Sequence, residues 1–430
     1  MATPDSDSKE ARISPTCPAA TREILEAAWH HDVPALKRLL DVPGKASSRD
    51  PVTGETPLHA VVRAAAGPTG DAETAAAAVR ELFFSGAIWN DVDDRNETPG
   101  CAALRLGRRE LYALCVEAGV RAELLFALMD GYEALSSGPE DEDEEMDVDD
   151  EIPQLVQVGN GVEDTTNGNG EISESPRVVT EEEPTFVPPK PDAEAEVKSE
   201  TYLRSKLTYS DGKLVDDDGN GVMMAWETDI MRQSVDALLP GREAGKRILN
   251  IGFGMGIVDS FFAETKPSKH HIIEAHPEVL ARIHAPNSKA LSFWEEGANT
   301  DAFKVHEGKW QDICPKLLEN GDIYDAIYFD TFGEDYGQLR LFFTEYIPGL
   351  LDQNGIFSFF NGLGADRRIC YDVYTRVVEI HLADAGMDVE WKAIPVDMEG
   401  LDEEGKGEWE GVKRRYWTLD GEYRFGSVLS

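Results

Sequence analysis

The chain has 430 residues, enough for two or three domains, and carries 82 acidic against 41 basic side chains, a formal net charge of −41. This balance argues against nucleic acid as a direct ligand, because phosphate contacts need clustered Lys and Arg; it fits either a basic protein partner or solubility alone. No apolar run approaches the roughly 20 residues of a membrane span, and five scattered cysteines without CxxC spacing predict no metal site.

Residues 1–18 are polar, and we expect them to form a disordered leader. They lack the apolar core of a secretory signal. The odd, scattered cysteines indicate reduced thiols, so we predict a cytoplasmic and nuclear location.

Residues 19–134 predict a small all-α, ankyrin-repeat-like module. Its first helix pair turns at 31–34, with Asp32 as the N-cap of the second helix. The phrase Thr56-Pro-Leu-His-Ala resembles the T-P-L-H-x-A signature of ankyrin repeats, and a degenerate copy starts at Thr98. His59 is therefore predicted to be a structural residue. Such an array either binds a protein partner or braces its neighbouring domain.

Residues 135–198 predict a disordered acidic linker. Glu140 to Glu151 is almost entirely acidic, and Asn/Gly- and Pro/Glu-rich sequence follows. Dense like charge with few apolar residues is typical of disorder. The segment either attracts a basic partner through its negative charge or is a solvated spacer.

From residue 199 onward, apolar runs alternate with helical segments. The predicted strands lie at 246–251, 270–274, 324–330 and 355–360. The predicted helices lie at 257–265, 277–284, 338–351 and 367–386. This alternation predicts an α/β domain with a mostly parallel sheet covered by helices on both faces. We expect residues 387–430 to add antiparallel strands at one edge, for example Arg415–Leu419.

A glycine turn, Gly252-Phe-Gly-Met-Gly256, follows the first strand and opens a helix. Its spacing is GxGxG, and Ile257 stands where a dinucleotide fingerprint has its third glycine, which disfavours a nicotinamide dehydrogenase. Glu274 ends the next strand, where an acid can accept hydrogen bonds from both ribose hydroxyls.

Three further motifs stand beside these two. Trp310, in 307–312, either covers the adenine face of a nucleoside or is a core residue. Asp330 ends the third strand and should face the ligand pocket. The segment 222–231 combines Met, Trp and acids without a clean helical period.

In chain order, the motifs V-M-M-x-W-E-T-x-x-M, N-I-G-F-G-M-G-I, I-I-E-A-H, E-G-K-W and Y-F-D-T-F are similar to guanidinoacetate N-methyltransferase. With the module in front, the chain resembles the fungal type IV protein arginine methyltransferases, which modify the δ-nitrogen (N5) of arginine. The resemblance implies a class I, Rossmann-like methyltransferase domain over 199–430 that binds S-adenosyl-L-methionine. It implies cofactor contacts from Tyr202 (with Tyr209 as its rival), Met231, Gly252, Phe253, Gly254, Met255, Gly256, Ile257, Val258, Glu274, Ala275, His276, Lys309, Trp310 and Asp330.

The resemblance also implies that Glu227 and Asp330 grip the guanidino group of the substrate. It suggests a protein substrate with an accessible arginine, such as a large-subunit ribosomal protein, and we expect a monomer. Two-carboxylate chemistry fits the δ and the ω nitrogens equally. Two other functions stay open: a methyltransferase of small guanidino compounds, and an ankyrin-based scaffold whose methyltransferase domain is inactive.

Overall fold

The structure, a computed structural model, describes residues 6–67, 71–136, 198–285, 302–401 and 407–429, with the backbone alone for 130–136 and 399. The predicted acidic linker lies outside the described residues, apart from its two ends. The described residues up to 130 and from 198 onward form one compact unit.

The regular elements described within residues 6–136 are all helical, as predicted for an all-α module. They are α1 (Lys9–Arg12), α2 (Ala19–Trp29), α3 (Val33–Leu39), α4 (Pro57–Ala65), α5 (Ala72–Phe84), α6 (Pro99–Arg105) and α7 (Arg109–Ser136), with a 3₁₀ turn at Lys45–Ser47. Asp32 begins α3 as predicted, because its carboxylate accepts a hydrogen bond from the N–H of Ala35 at 3.0 Å.

His59 ties two turns of this module together. Its Nδ1 lies 2.8 Å from Thr56 Oγ1, and its Nε2 lies 2.8 Å from the carbonyl oxygen of Glu97. The side chain is fully buried, and burial lowers the pKa of His59. The predicted structural role of His59 is therefore confirmed.

Residues 6–18, predicted to belong to a disordered leader, are instead packed against the module. Arg12 is only 1% exposed, and its guanidinium donates to Glu55 at 2.9 Å and to Asp93 at 2.7 Å. Ile13 and Cys17 join the apolar core. The prediction was wrong because the acids that neutralise Arg12 are distant in sequence, so composition alone gave no sign of its burial.

Replacing Arg12 with alanine should destabilise the folded chain by about 3 kcal/mol, since it leaves buried carboxylates with less compensating charge. The free energy of unfolding in urea measures this. Glu10→Ala, an exposed change two residues away, is the control and should have little effect. Equal stability of the two variants would contradict the role given to Arg12.

A three-stranded antiparallel meander opens the α/β domain. After α8 (Ser199–Tyr202) it comprises β1 (Leu207–Ser210), β2 (Lys213–Asp216) and β3 (Gly221–Met224). This meander was not predicted from the sequence. It accounts for the lack of helical period in 222–231, because that segment begins in β3, passes through a 3₁₀ turn at Ala225–Glu227 and enters an α-helix only at Thr228.

The main sheet has seven strands and confirms the predicted Rossmann-like architecture. They are β4 (Arg247–Ile251), β5 (Lys269–Glu274), β6 (Phe303–Glu307), β7 (Tyr324–Phe329), β8 (Leu351–Phe359), β9 (Asp388–Val396) and β10 (Gly421–Leu429), in the order β6-β5-β4-β7-β8-β10-β9. Strands β4 to β8 pair in parallel, and β10 pairs antiparallel with β8 and β9. The order reverses between β4 and β7, and ligands bind at the carboxyl ends of strands flanking such a switch point.

Helices connect these strands. They are α9 (Thr228–Leu238), α10 (Ile257–Glu264), α11 (Pro277–Ile283), α12 (Trp310–Glu319), α13 (Tyr336–Leu341), α14 (Ile347–Leu350), α15 (Arg368–Asp384) and α16 (Met398–Leu401). A π-helical turn at Phe342–Tyr346 joins α13 to α14.

The antiparallel edge was predicted correctly, but the example chosen for it was wrong. Arg415–Leu419 forms no strand, and the edge strands are β9 and β10. Residues 413–418, here called the strap, are bonded at one end to β3, where Gly221 N–H donates to Arg414 O at 2.9 Å. At the other end, Thr418 N–H donates to Ala365 O at 3.0 Å. These bonds satisfy backbone groups that a sheet would otherwise satisfy.

The module packs on α15 of the α/β domain through a shared apolar cluster. Its buried members are Trp89, Cys115, Ala118, Val120, Ile369, Val373 and Val377. Gly119 permits the close approach, because a Cβ there would lie 2.6 Å from Val373 Cγ2. The module therefore braces the α/β domain, whatever else it contacts.

Within the described ranges, no helix is long and apolar enough to cross a membrane. Those ranges contain no group of three or more His, Cys, Asp or Glu side chains placed to hold a metal ion. All five cysteines are free thiols.

Candidate active site

The glycine turn between β4 and α10 lies at the carboxyl end of the sheet. Gly252, Gly254 and Gly256 have φ angles of +91°, +53° and +77°, which L side chains rarely adopt. A Cβ on Gly252 would lie 1.9 Å from the carbonyl oxygen of Asp330, and one on Gly254 would lie 2.7 Å from Met223 Cε. The turn therefore requires glycine, and its bare backbone permits close approach of a ligand.

Glu274 ends β5 beside this turn, as predicted. Its carboxylate accepts hydrogen bonds from the backbone N–H groups of Phe253 at 2.9 Å and His276 at 2.7 Å. Burial raises the pKa of Glu274, while these donors oppose the shift. The carboxylate is thereby fixed in direction and retains lone pairs for further donors.

Tyr202 lies against the loop that follows Glu274. Its ring centre is 4.7 Å from that of His276, whose Nε2 lies 3.0 Å from the Tyr202 carbonyl oxygen. Burial and the nearby charge of Glu274 raise the pKa of Tyr202. The rival aromatic, Tyr209, instead stacks under the guanidinium of Arg282 at 3.7 Å.

Glu227 and Asp330 form a buried pair of carboxylates. Glu227 ends a 3₁₀ turn before α9 and is 2% exposed, and Asp330 directly follows β7. Burial raises the pKa of both groups, and the charge of Asp330 raises that of Glu227 further. Asp330 Oδ2 is buried without a hydrogen-bond partner in the described structure, and no described Lys or Arg forms a salt bridge with either carboxylate.

The described neighbours of Glu227 donate hydrogen bonds to only one of its two carboxylate oxygens. Oε1 accepts hydrogen bonds from the N–H of Met224 at 2.9 Å and from the hydroxyl of Tyr416. Tyr416 packs edge-on against Trp409, with ring centres 5.0 Å apart. Two buried acids beside aromatic rings suit a flat cation that offers two parallel N–H donors, which is the geometry of a guanidinium.

Known proteins similar to this chain span nearly its whole length. The family model for guanidinoacetate N-methyltransferase matches residues 199–379. Protein arginine N-methyltransferase 2 from Gibberella zeae is 62% identical over 98% of this chain and 96% of its own. The chain belongs to the protein arginine N-methyltransferase 2 family.

A second member, from Neurospora crassa, is 63% identical over 97% of both chains. Among solved structures, the O-methyltransferase TomG from Streptomyces achromogenes is 16% identical and covers 48% of this chain and 80% of its own. Its TM-score of 0.32 is too low to support a conclusion.

In this member of the protein arginine N-methyltransferase 2 family, the side chain of Trp310 lies in the core. It is 3% exposed, its ring centre lies 5.8 Å from that of Phe329 and 5.4 Å from that of Phe342, and its Nε1 donates to Glu334 at 3.0 Å. Of the two alternatives for the ring, the structure favours the core residue; the predicted contact of Lys309 and Trp310 with the cofactor stays a prediction. The neighbouring backbone stays near the glycine turn, since Gly308 N–H donates to Glu274 O at 2.8 Å.

Met231 likewise has its side chain in the core, fully buried on α9. The methionine that reaches the glycine turn is Met223 of β3, whose Sδ accepts the N–H of Met255 at 3.2 Å. The predicted contact between Met231 and the cofactor stays a prediction. Met223 was not predicted to lie there, because strand β3, which carries it, was not predicted.

The other residues predicted to contact the cofactor differ in how exposed they are. Phe253, Val258 and His276 are buried. Met255, Ile257 and Ala275 are half-buried, and Lys309 is exposed as the N-cap of α12.

A buried polar network beneath the turn was also missed. Asn250 Nδ2 donates to Gly252 O and to Asp259 Oδ2, both at 2.8 Å, and His270 Nε2 lies 2.8 Å from Asp259 Oδ1. The sequence feature that could have indicated it is an amide, Asn250, inside an apolar strand and an acid, Asp259, inside an apolar helix. Buried polar groups need hydrogen-bond partners, so the two could have been expected to interact. The network fixes the glycine turn from below.

Proposed function

We propose that this chain transfers a methyl group from S-adenosyl-L-methionine to an arginine side chain of a protein. The observation that carries the proposal is the buried Glu227–Asp330 pair, which has no cationic partner among the described residues and adjoins the glycine turn. Its relatives named protein arginine N-methyltransferase 2 support the same activity.

The residues around the glycine turn fit this cofactor. The turn lies at the carboxyl end of β4, where its glycines expose backbone to a ligand, and Glu274 offers a buried carboxylate to ribose hydroxyls. Tyr202 adds an aromatic ring beside them. When bound, S-adenosyl-L-methionine supplies a methyl group already activated by its sulfonium.

The two carboxylates make the substrate nitrogen nucleophilic. A guanidinium has a pKa above about 12 and is a poor nucleophile, because its charge is delocalised. Glu227 Oε2 and Asp330 Oδ2 each accept a charge-assisted hydrogen bond worth about 1.5–3 kcal/mol, which holds the positive charge on the bonded nitrogens. Asp330 is the better acceptor for the departing proton, since Met224 and Tyr416 already stabilise the ionised form of Glu227.

The finer proposal is methylation of the δ-nitrogen (N5) of arginine in a large-subunit ribosomal protein. The formal charge of −41 favours a basic substrate through electrostatic steering. The helical module, proposed here to be ankyrin-repeat-like, either binds that substrate or only braces the α/β domain. Purified full-length chain should label a ribosomal extract with isotopic cofactor, and fragment ions should locate the methyl group on Nδ. Label on a terminal nitrogen would overturn the N5 assignment.

A small guanidino compound is the second candidate substrate. The match of residues 199–379 to guanidinoacetate N-methyltransferase favours it. Incubation with guanidinoacetate in place of the extract separates the two candidates. If guanidinoacetate is methylated faster than protein arginine, the small compound is the substrate.

Replacing Glu274 with alanine should weaken cofactor binding about 10- to 100-fold, because charged hydrogen bonds of about 1.5–3 kcal/mol are lost. Calorimetric titration with S-adenosyl-L-methionine measures this. Glu307→Ala is the matched control, since Glu307 ends the neighbouring strand but its side chain is 62% exposed. If both variants bind like the wild type, Glu274 does not contact the cofactor.

A further inference from the structure

The strap carries Tyr416 across to Glu227 between two anchors. Its ends are bonded to Gly221 of β3 and to Ala365 in the loop after β8. Trp417, next to Tyr416, is fully buried, which fixes the strap further. The hydroxyl of Tyr416 therefore reaches Glu227 from a segment held on both sides.

This contact leaves Glu227 with one oxygen that accepts hydrogen bonds and one without a described donor. Oε1 receives both Met224 N–H and Tyr416 O–H, whereas no described residue donates to Oε2. Rotation of the carboxylate would break two hydrogen bonds at once, so Oε2 keeps one direction. Binding sites that hold a reacting group in a single orientation gain rate by removing misaligned states.

We propose that Tyr416 is a positioning residue for arginine methylation, which orients Glu227 so that Oε2 receives an N–H of the substrate guanidinium. The inference rests on the proposed function and deepens it. Tyr416 belongs to none of the five motifs that carry the family resemblance. It acts through Glu227 and does not itself hold the substrate.

The ionisable groups around Glu227 determine how the pH profile should respond. Those that face it are Asp330, Glu408, Tyr416, Tyr328 and Tyr423. The charges of Asp330 and Glu408 raise the pKa of Glu227, and the Tyr416 hydrogen bond lowers it. Loss of that hydroxyl therefore raises the pKa of Glu227. Because catalysis needs the ionised carboxylate, the acid limb of the profile moves to higher pH.

The test compares full-length wild type with Tyr416→Phe. We expect kcat to fall about 10- to 100-fold, as for loss of a hydrogen bond to a charged group, with a shift of the acid limb to higher pH and an unchanged dissociation constant for S-adenosyl-L-methionine. Tyr416→Phe added to Glu227→Gln should cause little further loss, because the two residues act through one contact.

Tyr371→Phe is the matched control. Tyr371 lies in the same aromatic cluster, but its hydroxyl bonds Asn361 and the Arg424 N–H. This variant should keep the wild-type kcat and pH profile.

The outcomes separate this inference from the function on which it rests. A wild type that methylates no arginine overturns the proposed function. An active wild type matched by Tyr416→Phe in kcat and pH profile overturns the positioning role. Should Tyr416→Phe unfold, 3-fluorotyrosine at position 416 keeps the shape, and its more acidic hydroxyl should move the acid limb to lower pH. An unmoved limb would also overturn the role.

Discussion

Glu227→Gln is expected to lower kcat for arginine methylation about 100- to 1000-fold, the usual cost of losing one preorganised electrostatic contact. The amide keeps the shape of the side chain but removes the charge that we propose binds the guanidinium. Affinity for S-adenosyl-L-methionine should stay within about twofold, since none of the contacts described for Glu227 involves the glycine turn. Steady-state methylation and calorimetric titration measure the two effects.

Glu278→Gln is the control for this change. Glu278 is a half-buried carboxylate that accepts the N–H of Leu207 at 2.6 Å, and Glu227 is not among its described contacts. It should therefore retain near-normal turnover. An active Glu227→Gln enzyme would show that this carboxylate does not hold the substrate.

The same substitution should make the ligand-free protein more stable at alkaline pH. The pKa of Glu227 is raised above its usual value of 4.5, so the folded state binds this proton more tightly than the unfolded state does. Stability from this group is complete below about pH 4.5 and is lost as pH rises through the higher, folded-state pKa. Thermal unfolding at pH 5 and pH 9 should show Glu227→Gln gaining only at pH 9. The site thus sacrifices stability for cation binding.

The sequence predicted the parts of the site that follow from local pattern. The glycine turn, Glu274 and Asp330 each stand where a strand ends, and parallel strands bring those ends to one edge of the sheet. The position of Glu227 came only from family resemblance, because its segment matched neither a helical nor a strand period.

The parts that could not be predicted depend on contacts between distant segments. Tyr416 and Glu227 are 189 positions apart, and Arg12 and Asp93 are 81 apart. Four-residue strands such as β1 and β2 give too few alternations to stand out in the sequence. For Trp310, the motif gave the position of the backbone, but the direction of the ring was set by packing among aromatic side chains that lie further along the chain.

Gly252→Ala should strongly weaken both cofactor binding and turnover. The added Cβ would lie 1.9 Å from Asp330 O, and the residue has a φ of +91°. A backbone clash cannot be relieved by a side-chain rotation, so the turn and the end of β7 must separate. Strain of this kind costs about 2–5 kcal/mol, which corresponds to a loss of about 30- to 4,000-fold in affinity for S-adenosyl-L-methionine. Calorimetric titration measures the loss.

Gly245→Ala is the control, because it tests the effect of a left-handed backbone conformation without the clash expected at Gly252. Gly245 has a similar φ of +87°, but no heavy atom lies within 4 Å of its Cβ position. This variant should lose about 1 kcal/mol of folding stability, from left-handed strain alone, and bind the cofactor normally. If Gly252→Ala binds as tightly as Gly245→Ala, the cofactor does not depend on the turn. If only Gly252→Ala fails, the contact between Gly252 and Asp330 couples the glycine turn to the carboxylate proposed to bind the substrate.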